Sequence, residues 1–139
     1  MVNKKNGEEE KIKRILTDPK LSSIKAMLEK DHAIDCLLLL SVNRGKWKEA
    51  KDFMRENKLT LSDGTFRARM IEIEQLGLAK SERIDPLKKF YKKTELGEKV
   101  AKLLLKFFDD FESWVQVAQD VLPALFLPRF FGAGFQYLT

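Results

Sequence analysis

The N-terminal part of the chain carries two short apolar stripes at helical spacing. The first runs from Ile12 to Leu16 and the second from Leu21 to Leu28. Pro19 lies between them, and because proline disfavours helical geometry in the residue before it, we expect a break here. Residues 1–7 are polar and include a glycine, so helical structure is expected only after them. We therefore predict an N-terminal helical extension over residues 1–30.

Two helices are predicted next. Ile34 to Val42 is nearly all apolar, which indicates a helix buried on most sides, and Gly45 is well placed to end it. From Lys46 to Glu56, apolar residues recur at spacings of three and four. This spacing is typical of a short amphipathic helix.

A third helix is predicted to begin at Ser62 or Asp63, because both residue types are good N-caps. Gly77 is expected to end it, since glycine readily adopts the backbone conformation that follows a helix. The apolar residues of this segment fall on one face, which we expect to be buried: Phe66, Met70, Ile73 and Leu76.

After Gly77 the pattern changes from that of a helix to that of a strand. The segments LAKSERI and FYKKT alternate in polarity, and DPLKK between them contains a turn signal. Two short antiparallel strands joined by a proline-containing loop are the simplest prediction. Helical spacing returns after Thr94.

A long helix is predicted from about Leu96 to Gln119, within a segment spanning residues 96–122. It carries an apolar seam whose members are mostly three and four residues apart. Such a seam is too apolar to stay in water on one small domain, so we predict that two copies pair through it. Coverage by the apolar tail, residues 123–139, is the alternative, and no other role is assigned to that tail. The predicted dimerisation residues are Val100, Leu104, Phe107, Phe108, Phe111, Val115, Ala118 and Leu122.

The positive charge of the chain is concentrated in its second half. The 139 residues, 44% of them hydrophobic, suffice for one globular unit, in whose core Trp47 and Trp114 are expected. The net charge is +5. Between Arg44 and Lys106 there are 17 basic and 10 acidic residues, a net of +7, which leaves 9 basic and 11 acidic residues, a net of −2, elsewhere. A basic segment of this kind attracts polyanions.

Several classes of protein are not expected. Cys36 is the single cysteine, which excludes an internal disulfide. His32 lies four residues before it and would share its helix face, but a histidine beside a helix start is usually structural, and neither a metal nor a cofactor is predicted. No catalytic triad, phosphate-binding glycine loop or carboxylate cluster can be assembled, so an enzyme is not expected. The sequence shows no signal peptide and no apolar run of membrane-spanning length, which predicts a cytoplasmic protein without a membrane partner.

Two stretches of the sequence resemble winged-helix transcriptional regulators. KEAKDFMRENKLTLSDGTFRARMIEIEQLGLAKSERI is similar to their helix-turn-helix, in which a small residue begins the recognition helix and Leu-Gly-Leu closes it before the wing. KKFYKKTELGEKV is similar to the Tyr-x-x-Thr-x-x-Gly that ends the wing in the MarR-like and PadR-like groups, with Lys93 in place of the usual leucine. The resemblance covers roughly residues 31–105. It implies a mainly α fold, with a winged-helix domain over residues 31–95 comprising a three-helix core and a small β-hairpin wing, and with N-terminal and long C-terminal helices for dimerisation.

The resemblance also implies DNA binding, and the residues fit this function. A helix of this length fits the major groove, where an arginine can form two bonds to one guanine edge. Basic side chains on the hairpin suit phosphates or the minor groove, whereas Phe90 and Tyr91 are expected to anchor the strand. The predicted DNA-binding residues are Ser62, Thr65, Arg67, Ala68 and Arg69, on the outward face of the helix, and Lys88, Lys89, Lys92 and Lys93, on the hairpin.

We therefore expect a homodimeric, sequence-specific double-stranded DNA-binding regulator of transcription. Two other functions remain open: a winged-helix module for protein–protein contact and a non-specific architectural DNA-binding protein. This fold can also hold a small-molecule effector between its helices, but no convergent set of polar residues identifies such a ligand.

Overall fold

A computed structural model describes residues 4–86 and 88–121, except for the side chains of residues 4–6, 84 and 121. The described chain is mainly helical and contains one small antiparallel hairpin, which agrees with the coarse prediction. It divides into two compact units, of which the first is Met1–Ala101 and the second begins at Lys102. The elements in chain order are α1 (Lys4–Thr17), α2 (Pro19–Leu28), α3 (Ala33–Ser41), α4 (Trp47–Glu56), α5 (Asp63–Gln75), β1 (Ala79–Asp85), β2 (Lys88–Lys93) and α6 (Glu95–Val121).

The break between the first two helices is where the sequence predicts it. α1 ends at Thr17, and Asp18 is the N-cap of α2, with Pro19 at its first position. The Asp18 carboxylate accepts hydrogen bonds from the backbone N–H groups of Lys20, at 2.9 Å, and Leu21, at 3.2 Å. The expectation that helical structure begins only after residue 7 was wrong, because α1 starts at Lys4. A single glycine costs a helix only about 1 kcal/mol, which favourable neighbouring residues offset.

The core of the first unit lies among α3, α4, α5 and the hairpin. Leu37 and Leu40 on α3 are almost completely buried, as are Met70 and Ile73 on α5. The predicted inward face of α5 is therefore confirmed at Phe66, Met70 and Ile73, whereas Leu76 is half-buried. The amphipathic spacing decided these positions because a helix buries only the face that meets its neighbours.

Gly45 does not end α3. That helix ends at Ser41, and the left-handed residue that follows it is Asn43, at φ 61°. Gly45 instead lies against β2, where its carbonyl oxygen accepts a hydrogen bond of 3.1 Å from the backbone N–H of Tyr91. A Cβ atom at this position would lie 2.7 Å from the carbonyl carbon of Tyr91 and closer still to the oxygen. Glycine is required here for close backbone approach rather than for a turn.

The termini of α5 are fixed locally. Ser62 is the N-cap, and its side-chain oxygen accepts from the backbone N–H of Thr65 at 3.1 Å. Gly77 follows the C-cap with φ 78°, a left-handed conformation that glycine adopts without steric cost. Both signals had been predicted from the sequence.

The hairpin pairs β1 with β2 from Ala79, opposite Lys93, to Asp85, opposite Lys88, with an irregularity in the register between Arg83 and Asp85. Its β1 strand is held to α5 by Glu74, whose carboxylate accepts from the backbone N–H of Ser81 at 2.8 Å. This bond fixes the position of the hairpin beside the helix.

Thr94 and Gly97 join the hairpin to α6. The Thr94 hydroxyl donates to the carbonyl of Gly77 at 2.6 Å and accepts from the N–H of Gly97 at 3.1 Å, while its own N–H donates to the carbonyl of Leu78 at 3.1 Å. A Cβ on Gly97 would lie 2.9 Å from the carbonyl carbon of Leu78. Together with the buried Tyr91, these contacts give each residue of the Tyr-x-x-Thr-x-x-Gly pattern a packing role.

α6 is slightly longer than predicted and leaves most of its apolar seam exposed. Trp114, expected in the core, is 78% exposed, while Trp47 is half-buried and packs on Phe66. The prediction for Trp114 was wrong because helical spacing identifies an apolar face but not whether anything covers it. Among the predicted seam residues, Phe107, Phe108 and Phe111 are exposed, Val100, Leu104, Val115 and Ala118 are half-buried, and Leu122 lies outside the described residues.

Candidate functional site

A cleft of about 700 Å³ lies between the start of α4, the exposed flank of α5 and the tip of the hairpin. All three elements belong to the first unit, and the bonds of Gly45 and Glu74 hold the hairpin in place beside the two helices. The lining residues are Lys46, Trp47, Lys48, Glu49, Phe66, Arg67, Ile71, Asp85, Lys88, Lys89, Phe90 and Tyr91.

The floor of the cleft is apolar and largely aromatic. Trp47 packs on Phe66 with ring centroids 5.3 Å apart and an interplanar angle of 46°. Ile71, on α5, is 44% exposed, and Phe90, on β2, is half-buried. Apolar surface therefore remains in contact with solvent inside the cleft.

The rim of the cleft is basic. Five of the lining residues are cationic and two, Glu49 and Asp85, are acidic. Lys46 precedes α4 and holds its Nζ atom 5.4 Å from the centre of the Phe90 ring, and Lys92 holds its own at the same distance. Phe90 is thus flanked by two ammonium groups, an arrangement in which the negative face of the ring attracts a cation.

Arg67 extends from α5 toward the cleft and is 70% exposed. Its Nε donates to the Asp63 carboxylate at 2.9 Å, one helical turn earlier. An exposed pair of this kind is worth only about 0.3–0.5 kcal/mol, so the guanidinium can exchange this partner for another anion at little cost.

The other predicted residues on the first turns of α5 are less free. The Ser62 hydroxyl is engaged with Thr65, donating to its Oγ1 at 2.9 Å and accepting from its N–H. Thr65 and Ala68 are half-buried. The established role of Ser62 in the fold is to cap the helix.

Arg69 does not lie on the outward face, contrary to the prediction. Its side chain is only 16% exposed, and its Nε lies 3.4 Å from the carboxylate of Glu72. Lys30 donates to the other oxygen of that carboxylate at 2.8 Å. The physical reason is the helical period: Arg69 follows the buried Phe66 by three residues, which places it on the flank that meets α2.

The four predicted lysines of the hairpin are divided between its two faces. Lys93 is drawn to the helical core, where its Nζ donates to the carbonyl of Ser41 at 3.1 Å and lies 3.9 Å from Glu98. It therefore does not join a common basic surface, because alternate residues of a strand point to opposite sides. Lys89, on that same side but at the tip, lies over the Tyr91 ring and 4.0 Å from Glu74.

The lysines that face the cleft or its edge are Lys88, Lys89 and Lys92. Lys88 and Lys89 line it directly. Lys92 is on the Phe90 side of the strand, 54% exposed and 3.2 Å from Glu82. Phe90 is therefore not a buried anchor, whereas Tyr91, at 7% exposure, is one, as predicted.

The sequence interpretation missed several residues of the cleft. Lys46, Trp47 and Lys48 come from the start of α4, and Ile71 comes from α5. The stretch GKWKEA alternates basic residues with an aromatic one, a signal that indicates a polyanion-binding surface when it is not read only as a helix start.

Cys36 and His32 do not form a reactive site. Burial raises the pKa of the Cys36 thiol to about 12, with a further contribution from the nearby Asp35 carboxylate. His32 is engaged with Asp35, with Nδ1 and Oδ2 2.8 Å apart. Among the described residues there is no group of three or more histidine, cysteine, aspartate or glutamate side chains placed to hold a metal ion.

Neither a membrane helix nor a known relative identifies the chain. In the described part of the molecule, no helix is both long and apolar enough to cross a membrane. Comparisons with protein-family models, with curated proteins and with solved structures find no match to this chain.

Proposed function

We propose that the chain is a sequence-specific double-stranded DNA-binding regulator of transcription, with a winged-helix domain over residues 31–95. The observation that carries the proposal is the cleft, where the exposed Arg67 of α5 and the hairpin lysines Lys88 and Lys89 face one another. A polyanion lying on this surface would meet both elements at once.

In this proposal α5 is the recognition helix. Its 13 residues extend about 20 Å at 1.5 Å per residue, and a helix of this diameter enters a major groove about 12 Å wide. Arg67 is the residue that reads a base edge, while Arg69 is excluded from that role by its ion pair with Glu72. Ser62 and Thr65 border the backbone at the helix start.

The hairpin acts as the wing. Lys88 and Lys92 are exposed and suited to phosphates, whereas Lys93 stabilises the wing against the helices. The order of three helices, a hairpin and a further helix supports this assignment, as does the Gly45 to Tyr91 hydrogen bond, which ties the segment before α4 to the hairpin edge. These are general features of architecture, and the DNA contacts are inferred from them.

The chain acts as a homodimer through α6. In its second unit, Leu104, Phe107, Phe111, Trp114 and Ala118 recur at alternating spacings of three and four, the repeat of a coiled-coil seam. Phe107 is 62% exposed and Trp114 78% exposed, so this face is available to a second copy. Pairing of two copies would present two recognition helices to two half-sites of DNA.

Selection of bound sequences from a random duplex pool tests the proposal. We expect enrichment of a two-fold symmetric site, retained at physiological salt against competitor DNA. Uniform binding of all duplexes without enrichment would instead favour the architectural protein, because non-specific binding is nearly all electrostatic. No duplex binding even at low salt would leave the module for protein–protein contact.

A further inference from the structure

We propose that the cleft between α4, α5 and the hairpin is a binding site for one unpaired nucleotide, with the base against the apolar floor and the phosphate on the basic rim. The inference rests on the proposed DNA binding, which supplies the nucleic acid, but it assigns the cleft a ligand that an intact duplex does not present.

The first argument is the floor. Ile71 is 44% exposed, and Phe90 and Trp47 are only half-buried, so the cleft offers apolar surface to whatever occupies it. A duplex presents polar base edges and a charged backbone, while its apolar base faces are hidden by stacking. Only a base released from the stack can cover this floor and remove it from water.

The second argument is the charge of the rim. Lys46, Lys48 and Lys88 line the cleft and form no ion pair among the residues that the structure describes. With Arg67 and Lys89 they outnumber Glu49 and Asp85 by five to two. The site therefore favours an anion, and the phosphate of a nucleotide satisfies this preference.

The third argument is that the two features occur together. A small dicarboxylate would engage the cations but leave the floor in water, and an apolar peptide would cover the floor but leave the cations unmatched. A nucleotide has an aromatic face and a phosphate on one molecule. The cleft, at about 700 Å³, is within the size range of small-molecule sites.

The same chemistry can come from a free nucleotide or from an unpaired nucleotide at the end of a DNA strand. Three labelled ligands separate the two sources: a blunt duplex, the same duplex with a short single-stranded extension, and a deoxynucleoside monophosphate used as competitor. Fluorescence anisotropy of the full chain measures each affinity. A Trp114→Phe background leaves Trp47 as the sole tryptophan, so that quenching reports occupancy of the cleft itself.

We expect the extension to tighten binding about ten-fold over the blunt duplex, because a base gains a stacking surface. Phe90→Leu should reduce this advantage to less than two-fold, and Phe90→Tyr, which keeps the ring, should preserve it. Ile71→Gln, on an exposed helix position, is a second variant that should lose the advantage without loss of folding. Leu59→Ala, an exposed apolar residue outside the cleft, is the matched control and should change nothing.

The outcomes for the cleft and for the DNA-binding proposal are distinct. Equal affinity for tailed and blunt duplexes, with no quenching by the monophosphate, overturns the inference and leaves duplex recognition intact. Quenching by the monophosphate without any duplex binding supports the nucleotide site and contradicts the proposed regulator. An advantage of the extension that survives both Phe90→Leu and Ile71→Gln places the nucleotide elsewhere and overturns the assignment.

Discussion

Replacing Gly45 by alanine is expected to destabilise the first unit strongly. The added Cβ would lie 2.7 Å from the carbonyl carbon of Tyr91 and 3.2 Å from Cδ2 of Leu40. Ordinary contacts at such a site begin at 3.4 Å, so the strand must move by more than the difference of 0.7 Å, because the Tyr91 oxygen is closer than its carbon. The φ of Gly45 is not positive, so the steric clash accounts for the effect.

The magnitude follows from what this displacement disturbs. The hydrogen bond between Gly45 and Tyr91 contributes about 1 kcal/mol net. Tyr91 and Leu40 are buried, and partial loss of their packing adds about 2 kcal/mol, roughly half the cost of deleting a core aromatic side chain. We expect a loss of about 3 kcal/mol in the free energy of unfolding, or a fall in Tm on the order of 10 °C.

Urea denaturation followed by circular dichroism measures this loss. Gly64→Ala is the matched control, since an added Cβ there meets nothing within 4 Å, and this variant should be as stable as the wild type or up to about 1 kcal/mol more stable. If Gly45→Ala unfolds within about 0.5 kcal/mol of the wild type, the close approach of the two backbone segments is refuted.

Three further predictions concern DNA binding, assembly and pH. Arg67→Ala should cost on the order of 1–3 kcal/mol on a selected site and flatten the preference at one base pair, whereas Lys88→Ala should weaken all duplexes alike and lower the salt slope by about one per phosphate contact; titrations at several salt concentrations distinguish them, and proportional losses in both variants contradict the assigned roles. Phe107→Glu, at a position exposed in the single chain, should convert a dimer to a monomer in light scattering, and a monomeric wild type at tens of micromolar would contradict pairing. Hydrogen bonding from Ser81 lowers the pKa of Glu74, so its stabilising effect is present above the ordinary carboxyl pKa and is lost as the pH falls through the lowered value. Urea denaturation between about pH 5 and pH 3 should therefore show a smaller loss of stability in Glu74→Gln than in the wild type, and equal losses would exclude this contribution.

The sequence by itself determined the features that depend on neighbouring residues. Pro19 separates α1 from α2, Ser62 caps α5 and Gly77 ends it, all as predicted. The buried face of α5 and the position of the hairpin also followed from spacing alone. These features were predictable because caps, turns and amphipathic periods are set by interactions within a few residues along the chain.

The candidate site was predictable only in part. Arg67 and Lys88 were identified correctly as exposed cations, since a helix face and a hairpin tip are visible in the pattern. Lys46 and Trp47 were missed, although they lie across the cleft from both. The spacing of residues within one element does not show which residues of another element lie opposite.

Only the tertiary structure decided which side chains are free. Arg67 and Arg69 are two residues apart and alike in sequence, yet the packing of α2 against α5 encloses Arg69 with Glu72 while Arg67 remains exposed. Lys93 is likewise removed from the other hairpin lysines by its bond to the carbonyl of Ser41, 52 residues earlier in the chain. Exposure depends on which distant segment reaches the flank of a helix or strand, and that is a property of packing, which local patterns do not contain.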